Sequence, residues 1–516
     1  MDMRILKLNL FAVIALLLAN ISFAQTQKVN VDALDCFSIL VGKDASDEGC
    51  VYFAHNEDDG GQQVLNYYQV PRIEHEDGEV VTFKNGGTIP QAKVTYSYTW
   101  LQLPGMTVSD GFVNENGVVV GSDGCPSRED KPELTDGGVG YWIRRIIAER
   151  ARTAKEGVKI AGQLVDQFGY DSSGRTYVVA DANEGWMMSI VNGKHWVAQR
   201  VPDDAVAVLP NYYTIENVNL ADTVNFLGSP DIIEYAIKRG WYDPVKDGEF
   251  NFAKAYTNKG SINHPGNYKR IWRGIEMISG EKYKMEGPFP FSFKPKQKVS
   301  RELLMSVLRD HYVGTELDKT DGYKLGAPYG KNGPTICANS TQFSFVAQLR
   351  DWMPTEVGTV VWLTTFRPDL QAYVPWYACN AKVPQIFGYG DHNSAYEYHY
   401  NPPKSIFETS DDLAYWSFVA LAQMVDKDYY NEAPKVKKVW SDYQQMLFDN
   451  QQSIENKALK AFKKDPSAAQ KILTNYSNKQ VMKVFKEVKK MTKNAEKAKK
   501  EKGEQMGHCL NPELAK

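Results

Sequence analysis

The sequence predicts an α+β fold with mainly antiparallel sheets and a helical C-terminus. Three observations predict this class. Asn-Gly and Asp-Gly pairs separate runs of β-branched and aromatic residues in the N-terminal half, helical patterns lie between those runs, and only helical patterns follow residue 411. Tight turns of this kind join antiparallel neighbours, because they reverse the chain within two residues.

The expected elements follow in chain order. Hairpin turns are expected at Asp77-Gly78, Asn85-Gly86, Asn116-Gly117 and Asn192-Gly193. Helices are expected over residues 141–153, 158–168 and 301–312, where apolar residues recur every three or four positions. Ser300 is a typical N-cap for the last of these. Strands are expected over residues 176–181, 186–191, 195–201, 206–209, 342–349, 357–365 and 372–376.

The C-terminal helices are rich in lysine. Residues 431–516 contain 19 Lys and no Arg against 10 acidic residues. Val481, Val484, Phe485 and Val488 recur at helical spacing, so we expect this stripe to pack on the body of the protein and the lysines to face solvent. A basic surface that binds a membrane or a partner is the alternative interpretation.

The N-terminus has the pattern of a secretory signal peptide over residues 1–24. Arg4 and Lys7 precede an apolar run, and small residues follow it near Ala24. The run is too short to span a bilayer core of about 30 Å as a helix. We therefore expect export to the periplasm or the medium, and no transmembrane segment.

Composition excludes several classes of protein. The 516 residues carry a net charge of only -3, which argues against nucleic-acid binding, and 12% aromatic residues argue against a disordered chain. The six cysteines form no C-x-x-C pair, so we expect no metal and no other cofactor. Their number allows three disulfides in an oxidising compartment, unless Cys36 stays a thiol and leaves at least one other unpaired.

The segment 36–59, CFSILVGKDASDEGCVYFAHNEDD, carries the candidate chemistry. Strands at 37–41 and 51–54 around a polar turn form a hairpin, which brings Cys36 near His55-Asn56-Glu57-Asp58. A cysteine beside carboxylates and a histidine has the residue types of a thiol nucleophile with proton-transfer partners. A buried structural cysteine next to a solvated acidic turn is the alternative.

These residues also carry a family resemblance. CFSILVGKDASDEG followed by HNED resembles the opening of the secernin-like dipeptidases, which belong to the N-terminal-nucleophile (Ntn) hydrolases. Five later segments resemble the same family in the same order: NENGVVVGSD at 114–123, VPDDAVAVLPNYYTI at 201–215, YKRIWR at 268–273, QFSFVAQLRDWM at 342–353 and YVPWYA at 373–378. They do not reach the Lys-rich helices.

The resemblance implies a four-layer αββα sandwich over residues 36–410, followed by a helical extension over 411–516. It also implies autocatalytic cleavage after Asp35, which removes residues 25–35 as a pro-peptide and makes Cys36 the first residue. The freed amine, with a pKa of about 8, can then accept the thiol proton. The implied activity is that of a cysteine dipeptidase that hydrolyses dipeptides or short peptides through a thioester.

The resemblance assigns further roles residue by residue. Asp58 matches the acidic partner that accepts a hydrogen bond from the Cys36 amine, and Asn211 matches an asparagine of the oxyanion hole. Arg270 matches an arginine near the nucleophile, where a fixed positive charge favours thiolate over thiol.

Two positions depart from the family. His55 stands where relatives usually have Arg, so a fixed charge is replaced by a group that titrates at about pH 6.5. Ser122-Asp123 stands where the wider clan often supplies an oxyanion donor. We expect His55, Asn56, Glu57, Ser122 and Asp123 to line the substrate site, with the carboxylates and Arg270 as candidates for binding the charged ends of a dipeptide.

Two other functions remain open at this point. The sibling chemistry is hydrolysis of non-peptide amides of the bile-acid or penicillin type. A non-catalytic exported scaffold that binds a partner through the Lys-rich helices is the other. We also expect a homo-oligomer, with a subunit number that the sequence leaves open.

Overall fold

The computed structural model describes residues 35–501, except 60–62, 107–109, 141, 319–327 and 329–333, and no side chains beyond residue 497. The predicted signal peptide and all but the last residue of the predicted pro-peptide lie outside the described residues. Asp35 and Cys36 are both described.

The first sheet contains the hairpin that starts at Cys36. Its strands are, in spatial order, β14 (Val206–Leu209), β1 (Phe37–Val41), β2 (Val51–Asp58), β16 (Thr341–Leu349), β17 (Thr359–Thr365) and β18 (Val374–Tyr377). All neighbours are antiparallel. The sheet is covered on both sides, so its strands have nearly continuous apolar sequences rather than an alternation of apolar and polar residues.

The second sheet is also antiparallel and has eight strands. They are, in spatial order, β15 (Phe226–Gly228), β13 (Trp196–Arg200), β12 (Gly185–Gly193), β11 (Tyr170–Ala180), β10 (Val119–Gly124), β9 (Gly111–Asn114), β8 (Tyr98–Gln102) and β3 (Asn66–Val70). Two small antiparallel pairs stand beside it, β4 (Ile73–Glu74) with β7 (Val94–Thr95) and β5 (Val80–Thr82) with β6 (Thr88–Pro90).

Three of the four predicted hairpin turns are confirmed. Asn85-Gly86 joins β5 to β6, Asn116-Gly117 joins β9 to β10, and Asn192-Gly193 ends β12 before β13. The prediction for Asp77-Gly78 is wrong in one respect. The turn exists, but it joins β4 to β5, which pair with β7 and β6 rather than with each other. Turn residues report a chain reversal and do not choose the partner strand.

The helices are, in chain order, α1 (Trp142–Arg150), α2 (Ala154–Phe168), α3 (Ile232–Lys238), α4 (Phe252–Tyr256), α5 (Lys259–Ile262), α6 (Pro265–Ser279), α7 (Arg301–Leu308), α8 (Thr355–Gly358), α9 (His392–Tyr400), α10 (Ala414–Asp426), α11 (Tyr429–Phe462) and α12 (Pro466–Glu501). Short 3-10 helices occupy Pro368–Leu370, Gln385–Phe387 and Lys404–Phe407.

Capping residues set the ends of the predicted helices. Ser300 caps α7 by accepting a hydrogen bond from the backbone N–H of Leu303, as predicted. Thr153 caps α2 in the same way, so the first predicted helix ends at Arg150 instead of running to 153. The sequence analysis did not predict α6, which carries Arg270.

Three apolar cores separate four layers. Leu40 and Phe53 of the first sheet pack against Val178 and Met187 of the second. The outer face of the second sheet packs on α1 and α2, and that of the first sheet on α6, α7 and α11. The sheets approach closely, because a Cβ on Gly185 would lie 2.6 Å from the Leu40 side chain. This arrangement confirms the expected four-layer αββα sandwich.

The C-terminal helices pack on this body. Val481, Val484, Phe485 and Val488 are buried in the core that also contains the inner faces of the sheets, as the apolar stripe predicts. Arg350, which directly follows β16, makes a two-pronged buried ion pair with Glu455 of α11, with N–O distances of 2.8 and 2.7 Å. Among the described residues, no helix is both long enough and apolar enough to cross a bilayer.

Candidate active site

Cys36 lies at the start of β1, with its side chain only 3% exposed. Its Sγ donates hydrogen bonds to Glu57 Oε1 at 3.3 Å and to the carbonyl oxygen of Asp58 at 3.4 Å. Both contacts follow from the β1–β2 register, in which Phe37 pairs with Asn56 and Ser38 with His55. The hairpin therefore brings the thiol to the acidic segment, as the spacing predicts.

Strand alternation divides the acidic segment between two faces of the sheet. Successive side chains of β2 point to opposite faces, so His55 and Glu57 face the second sheet while Asn56 faces the helices. The Asn56 amide donates to the carbonyl oxygens of Leu308 at 2.9 Å and Ile336 at 2.8 Å. Asn56 thus supports the chain behind the sheet, and this orientation does not favour the substrate-binding role expected for it.

A line of buried polar groups leads from the thiol into the space between the sheets. Glu57 Oε2 lies 3.1 Å from His55 Nε2, and His55 Nδ1 lies 2.8 Å from Ser38 Oγ. The Ser38 hydroxyl donates to Asp123 Oδ2 at 2.5 Å. Ser38, His55, Glu57 and Asp123 are fully buried. The sequence analysis named three of these residues but missed Ser38, whose only signal was a polar side chain within an apolar strand.

Burial and neighbouring charges set the acidity of these groups. Burial, followed by the charge of Glu57, raises the pKa of the Cys36 thiol well above its ordinary value. Burial also raises the pKa of Asp123, to about 7. Burial alone would raise the pKa of Glu57 too, but the hydrogen bond and charge of His55 outweigh it and lower that pKa. In the uncut chain the thiol is therefore held protonated.

Asp58, the last residue of β2, lies next to Cys36 and accepts a hydrogen bond from its thiol through the backbone carbonyl oxygen. Its Oδ1 accepts a hydrogen bond from the Thr341 hydroxyl, whereas its Oδ2 is buried and has no hydrogen-bond partner among the described residues. Burial raises the pKa of this carboxyl group. A buried carboxyl oxygen without a hydrogen-bond donor carries a desolvation cost. Thr341 was not singled out by the sequence analysis.

Arg270 and Asn211 meet at the backbone of residues 35 and 36. Arg270 Nη1 donates to the carbonyl oxygen of Cys36 at 2.7 Å and to that of Asp35. Its Nη2 donates to Asn211 Oδ1 at 2.8 Å, and Asn211 Nδ2 donates to the carbonyl oxygen of Gly124 at 2.9 Å. Arg270 thus donates to the backbone on both sides of the Cys36 nitrogen, and Asn211 accepts from the same guanidinium and orients it.

Ser122 and Asp123 point to opposite faces of β10. Asp123 joins the inter-sheet line, whereas the Ser122 hydroxyl accepts a hydrogen bond from Arg175 Nη1 at 3.1 Å. Arg175 and Arg144 are buried and lower the pKa of Glu57 through their charge. The sequence analysis missed both arginines.

A second polar cluster contains residue types that bind metals. Among the described residues, the ligand atoms of His311, Cys337 and Asp369 lie within 4.8 Å of one another. However, Asp369 Oδ2 accepts a hydrogen bond from Tyr429, and its Oδ1 lies 3.9 Å from Arg367 Nε. A guanidinium at this distance opposes a divalent cation, so the surroundings of this cluster do not favour metal binding.

The cysteines are free thiols in this structure. Cys36, Cys50, Cys125, Cys337 and Cys379 are all buried and none of them forms a disulfide. Cys509 lies outside the described residues.

Comparison with known proteins identifies the family. The model of Peptidase family C69 matches residues 35–442, from the residue before the candidate nucleophile into α11. The chain belongs to peptidase family C69. The expected family resemblance is thereby confirmed, and so is the assignment of the protein to hydrolases of the cysteine peptidase class.

Similar proteins from other organisms align with this chain over most of their own length. A probable dipeptidase of Salmonella dublin is 27% identical over 69% of this chain and 84% of its own. A probable dipeptidase of Latilactobacillus sakei is 28% identical over 84% of this chain and 90% of its own. A dipeptidase of Bifidobacterium longum is 28% identical over 66% of this chain and 70% of its own.

A solved structure of penicillin V acylase from Agrobacterium tumefaciens aligns with 64% of this chain and 82% of its own, with 15% identity and a TM-score of 0.34. Because that TM-score is low, the fold assignment rests on the two sheets and three cores of this chain.

The C69 match reaches past residue 410, so family similarity includes α10 and the start of α11.

Proposed function

We propose that this protein is an exported cysteine dipeptidase whose nucleophile, Cys36, becomes the first residue by self-cleavage after Asp35. One observation carries the proposal: Arg270 donates hydrogen bonds to the carbonyl oxygens of Asp35 and Cys36, while the Cys36 thiol contacts the Glu57 carboxyl group. Membership in family C69 and the dipeptidase names of the relatives support the reaction class.

Self-cleavage uses the groups already in contact with this bond. The Cys36 sulfur forms a bond with the carbonyl carbon of Asp35, whose oxygen accepts a hydrogen bond from Arg270. That oxygen becomes an oxyanion in the tetrahedral intermediate, so Arg270 stabilises it most where its charge is greatest. The C–N bond then breaks, the Cys36 nitrogen gains a proton, and water hydrolyses the resulting thioester.

The mature site differs from the uncut one by a free amine on Cys36. An amine with a pKa of about 8 can accept the thiol proton, which the amide nitrogen of the uncut chain cannot do. Asp58 Oδ2, buried and without a donor among the described residues, is the acceptor we assign to this amine. The residue then carries its own nucleophile and base.

Dipeptide hydrolysis repeats the same steps with an external carbonyl. The acyl carbonyl of the substrate takes the position that Asp35 leaves, and Arg270, oriented by Asn211, supplies the donor for the oxyanion. The amine product departs, and water releases the acyl group from Cys36. Acyl amides of the bile-acid or penicillin type would follow the same steps, so the choice of substrate needs a direct test.

Mass spectrometry and N-terminal sequencing of the exported protein test this proposal. We expect a chain that begins at Cys36 and hydrolyses dipeptides, whereas a Cys36→Ala variant should retain residues 25–35 and lack turnover. Cys379→Ala is the matched control, because Cys379 is another buried free thiol. An active preparation that begins at residue 25 would contradict the mechanism, and turnover of acyl amides alone would contradict the substrate class.

Export and assembly belong to the same proposal. The signal-peptide pattern of residues 1–24 supports export, and the N-terminal sequence of protein recovered from the periplasm or the medium tests it. Assembly into a homo-oligomer stays a prediction that sedimentation of the mature protein would check.

A further inference from the structure

Self-cleavage needs a base that the mature enzyme does not need. In the uncut chain the nitrogen of Cys36 belongs to an amide, so it cannot take the thiol proton. Burial and the neighbouring carboxylates also raise the pKa of that thiol. If the proposed self-cleavage occurs, another group must accept this proton before the sulfur can attack Asp35.

The line of polar groups behind the thiol meets this requirement. It runs from Cys36 Sγ to Glu57 at 3.3 Å, from Glu57 to His55 at 3.1 Å, from His55 to Ser38 at 2.8 Å and from Ser38 to Asp123 at 2.5 Å. We call these five residues the relay. Four of them come from the β1–β2 hairpin, and Asp123 comes from β10 of the facing sheet.

We propose that the relay is the base for self-cleavage: Glu57 and His55 take up the Cys36 thiol proton, and Ser38 and Asp123 are positioning residues that stabilise the charged imidazole. The inference rests on the proposed function, because it concerns the maturation step of that same site.

The hydrogen-bond directions fix how the proton moves. Since the Ser38 hydroxyl donates to Asp123, its oxygen accepts from His55 Nδ1–H, and His55 Nε2 faces Glu57. One proton is then shared between Glu57 Oε2 and His55 Nε2. When the thiol proton passes to Glu57 Oε1, the shared proton moves onto His55, so the pair gains one positive charge as the sulfur gains a negative charge.

The surroundings make the Asp123 end of the relay necessary. Other charged groups that act on the relay are the cations Arg144 and Arg175 and the carboxyl groups of Asp58 and Asp59. Two buried arginines oppose a further positive charge on His55, because charges interact strongly where water is excluded. A carboxylate that reaches His55 through Ser38 offsets that opposition.

The step balances without any external reactant except water. The relay holds the proton while the bond between the Cys36 sulfur and the Asp35 carbonyl carbon forms. It returns the proton to the Cys36 nitrogen as the C–N bond breaks. Water then hydrolyses the thioester, which leaves the Asp35 carboxylate, the Cys36 thiol and the free amine.

Once the amine exists, it takes over as the base in direct reach of the thiol. Loss of Ser38 should therefore slow maturation more than turnover. A purely structural role of Ser38 would not separate the two rates, because a distorted hairpin would impair both.

The experiment compares maturation with turnover in the full chain. Cell-free synthesis of the complete sequence, followed by intact-mass spectrometry over time, gives the rate of Asp35-Cys36 cleavage. Dipeptide turnover is then measured per chain that begins at Cys36. The variants are Ser38→Ala, Asp123→Asn and the conservative Ser38→Thr, which keeps the hydroxyl.

Two matched controls test for general effects of removing a buried polar group. Ser189→Ala removes a buried hydroxyl of the second sheet that pairs with Thr176 at 3.1 Å. Asp181→Asn changes a buried carboxylate that accepts from the backbone of Ala154 at 2.7 Å. Thermal unfolding midpoints of all variants show which of them fold.

We expect Ser38→Ala and Asp123→Asn to slow cleavage by about tenfold or more, and we expect Ser38→Ala to change turnover per mature chain by less than about threefold. Ser38→Thr and both controls should cleave at the wild-type rate. If Ser38→Ala does not fold, the comparison of Asp123→Asn with Asp181→Asn carries the test.

Two results would overturn the relay and leave the proposed function standing. One is wild-type cleavage in both Ser38→Ala and Asp123→Asn. The other is an equal loss of cleavage and of turnover per mature chain in Ser38→Ala. A wild-type chain that is never cut at Asp35-Cys36 would instead overturn the proposed self-cleavage itself, and the relay with it.

Discussion

Arg270 donates a hydrogen bond to the carbonyl oxygen of Cys36 at 2.7 Å, although the two residues are 234 positions apart in the chain. The same nitrogen contacts the carbonyl oxygen of Asp35, and the other terminal nitrogen contacts Asn211. One planar guanidinium thus orients both the uncut bond and the asparagine beside it. A lysine ammonium group, which acts as a point charge, cannot replace the two-pronged donor geometry of this guanidinium.

Arg270→Lys should therefore impair both self-cleavage and turnover. Loss of one oxyanion donor costs about 100-fold or more in rate, and lysine keeps the charge without the second donor direction. Intact-mass spectrometry and kcat/KM for a dipeptide measure the two effects. Arg273→Lys, on the same helix and paired with Asp310 at 2.8 Å, is the control and should stay active. Full activity of Arg270→Lys would contradict the donor role.

Thr341→Val should lower turnover of the mature enzyme. The Thr341 hydroxyl holds Asp58 Oδ1, and without it the carboxylate loses the orientation that presents Oδ2 to the Cys36 amine. A hydrogen bond to a charged group contributes about 1.5–3 kcal/mol, so kcat should fall by about tenfold or more, with little change in KM. Thr341→Ser should restore it, and unchanged kcat in Thr341→Val would contradict the orientation of Asp58.

Asp123 makes the stability of the uncut protein depend on pH. Its folded pKa is raised to about 7, above the value of about 3.9 for an unfolded chain. Folding thus favours the protonated form of Asp123. The resulting contribution to the free energy of unfolding is complete below about pH 4 and is lost as the pH rises to about 7.

Comparing Cys36→Ala with Cys36→Ala/Asp123→Asn measures this contribution in an uncut chain. We expect the free energy of unfolding of the single variant to fall, relative to the double variant, as pH rises from about 4 to about 7. Above that range the difference should be constant. A difference that does not vary with pH would show that the Asp123 pKa is not raised.

Glu455 should stabilise the attachment of α11 to the first sheet. It pairs with Arg350 through two hydrogen bonds, and both side chains are buried. Glu455→Ala leaves a buried arginine unpaired, which costs about 3–5 kcal/mol in the free energy of unfolding. Urea unfolding measures the loss. Asp442→Ala, which removes an exposed pair with Lys438 on the same helix, should cost less than about 1 kcal/mol.

Local patterns predicted the elements whose partners are near in sequence. The β1–β2 hairpin, α2, α7 with its Ser300 cap, and three of four hairpin turns follow from residue spacing alone. The missed α6 carries Arg270. Its apolar positions are interrupted by Asn267 and Arg270, which are buried because they bind each other and the chain around Asn211.

Residues whose roles depend on orientation were harder to assign. Asn56 and Glu57 are adjacent in sequence, but strand alternation sends Asn56 to the helical layer and Glu57 to the thiol. Ser122 and Asp123 separate in the same way. Adjacent polar residues of a strand face opposite sides of the sheet, so closeness in sequence does not place them in the same site.

The sequence by itself determined the α+β class, the family and the candidate for the nucleophile, because turn residues, apolar periodicity and the Cys36 to Asp58 segment are local signals. Only the tertiary structure decided which polar groups meet the thiol. Packing of the second sheet places Asp123 against Ser38, and packing of α6 places Arg270 against Cys36. The physical reason is that buried charges and hydroxyls find partners across layers, and contacts between layers leave no periodic pattern in the chain.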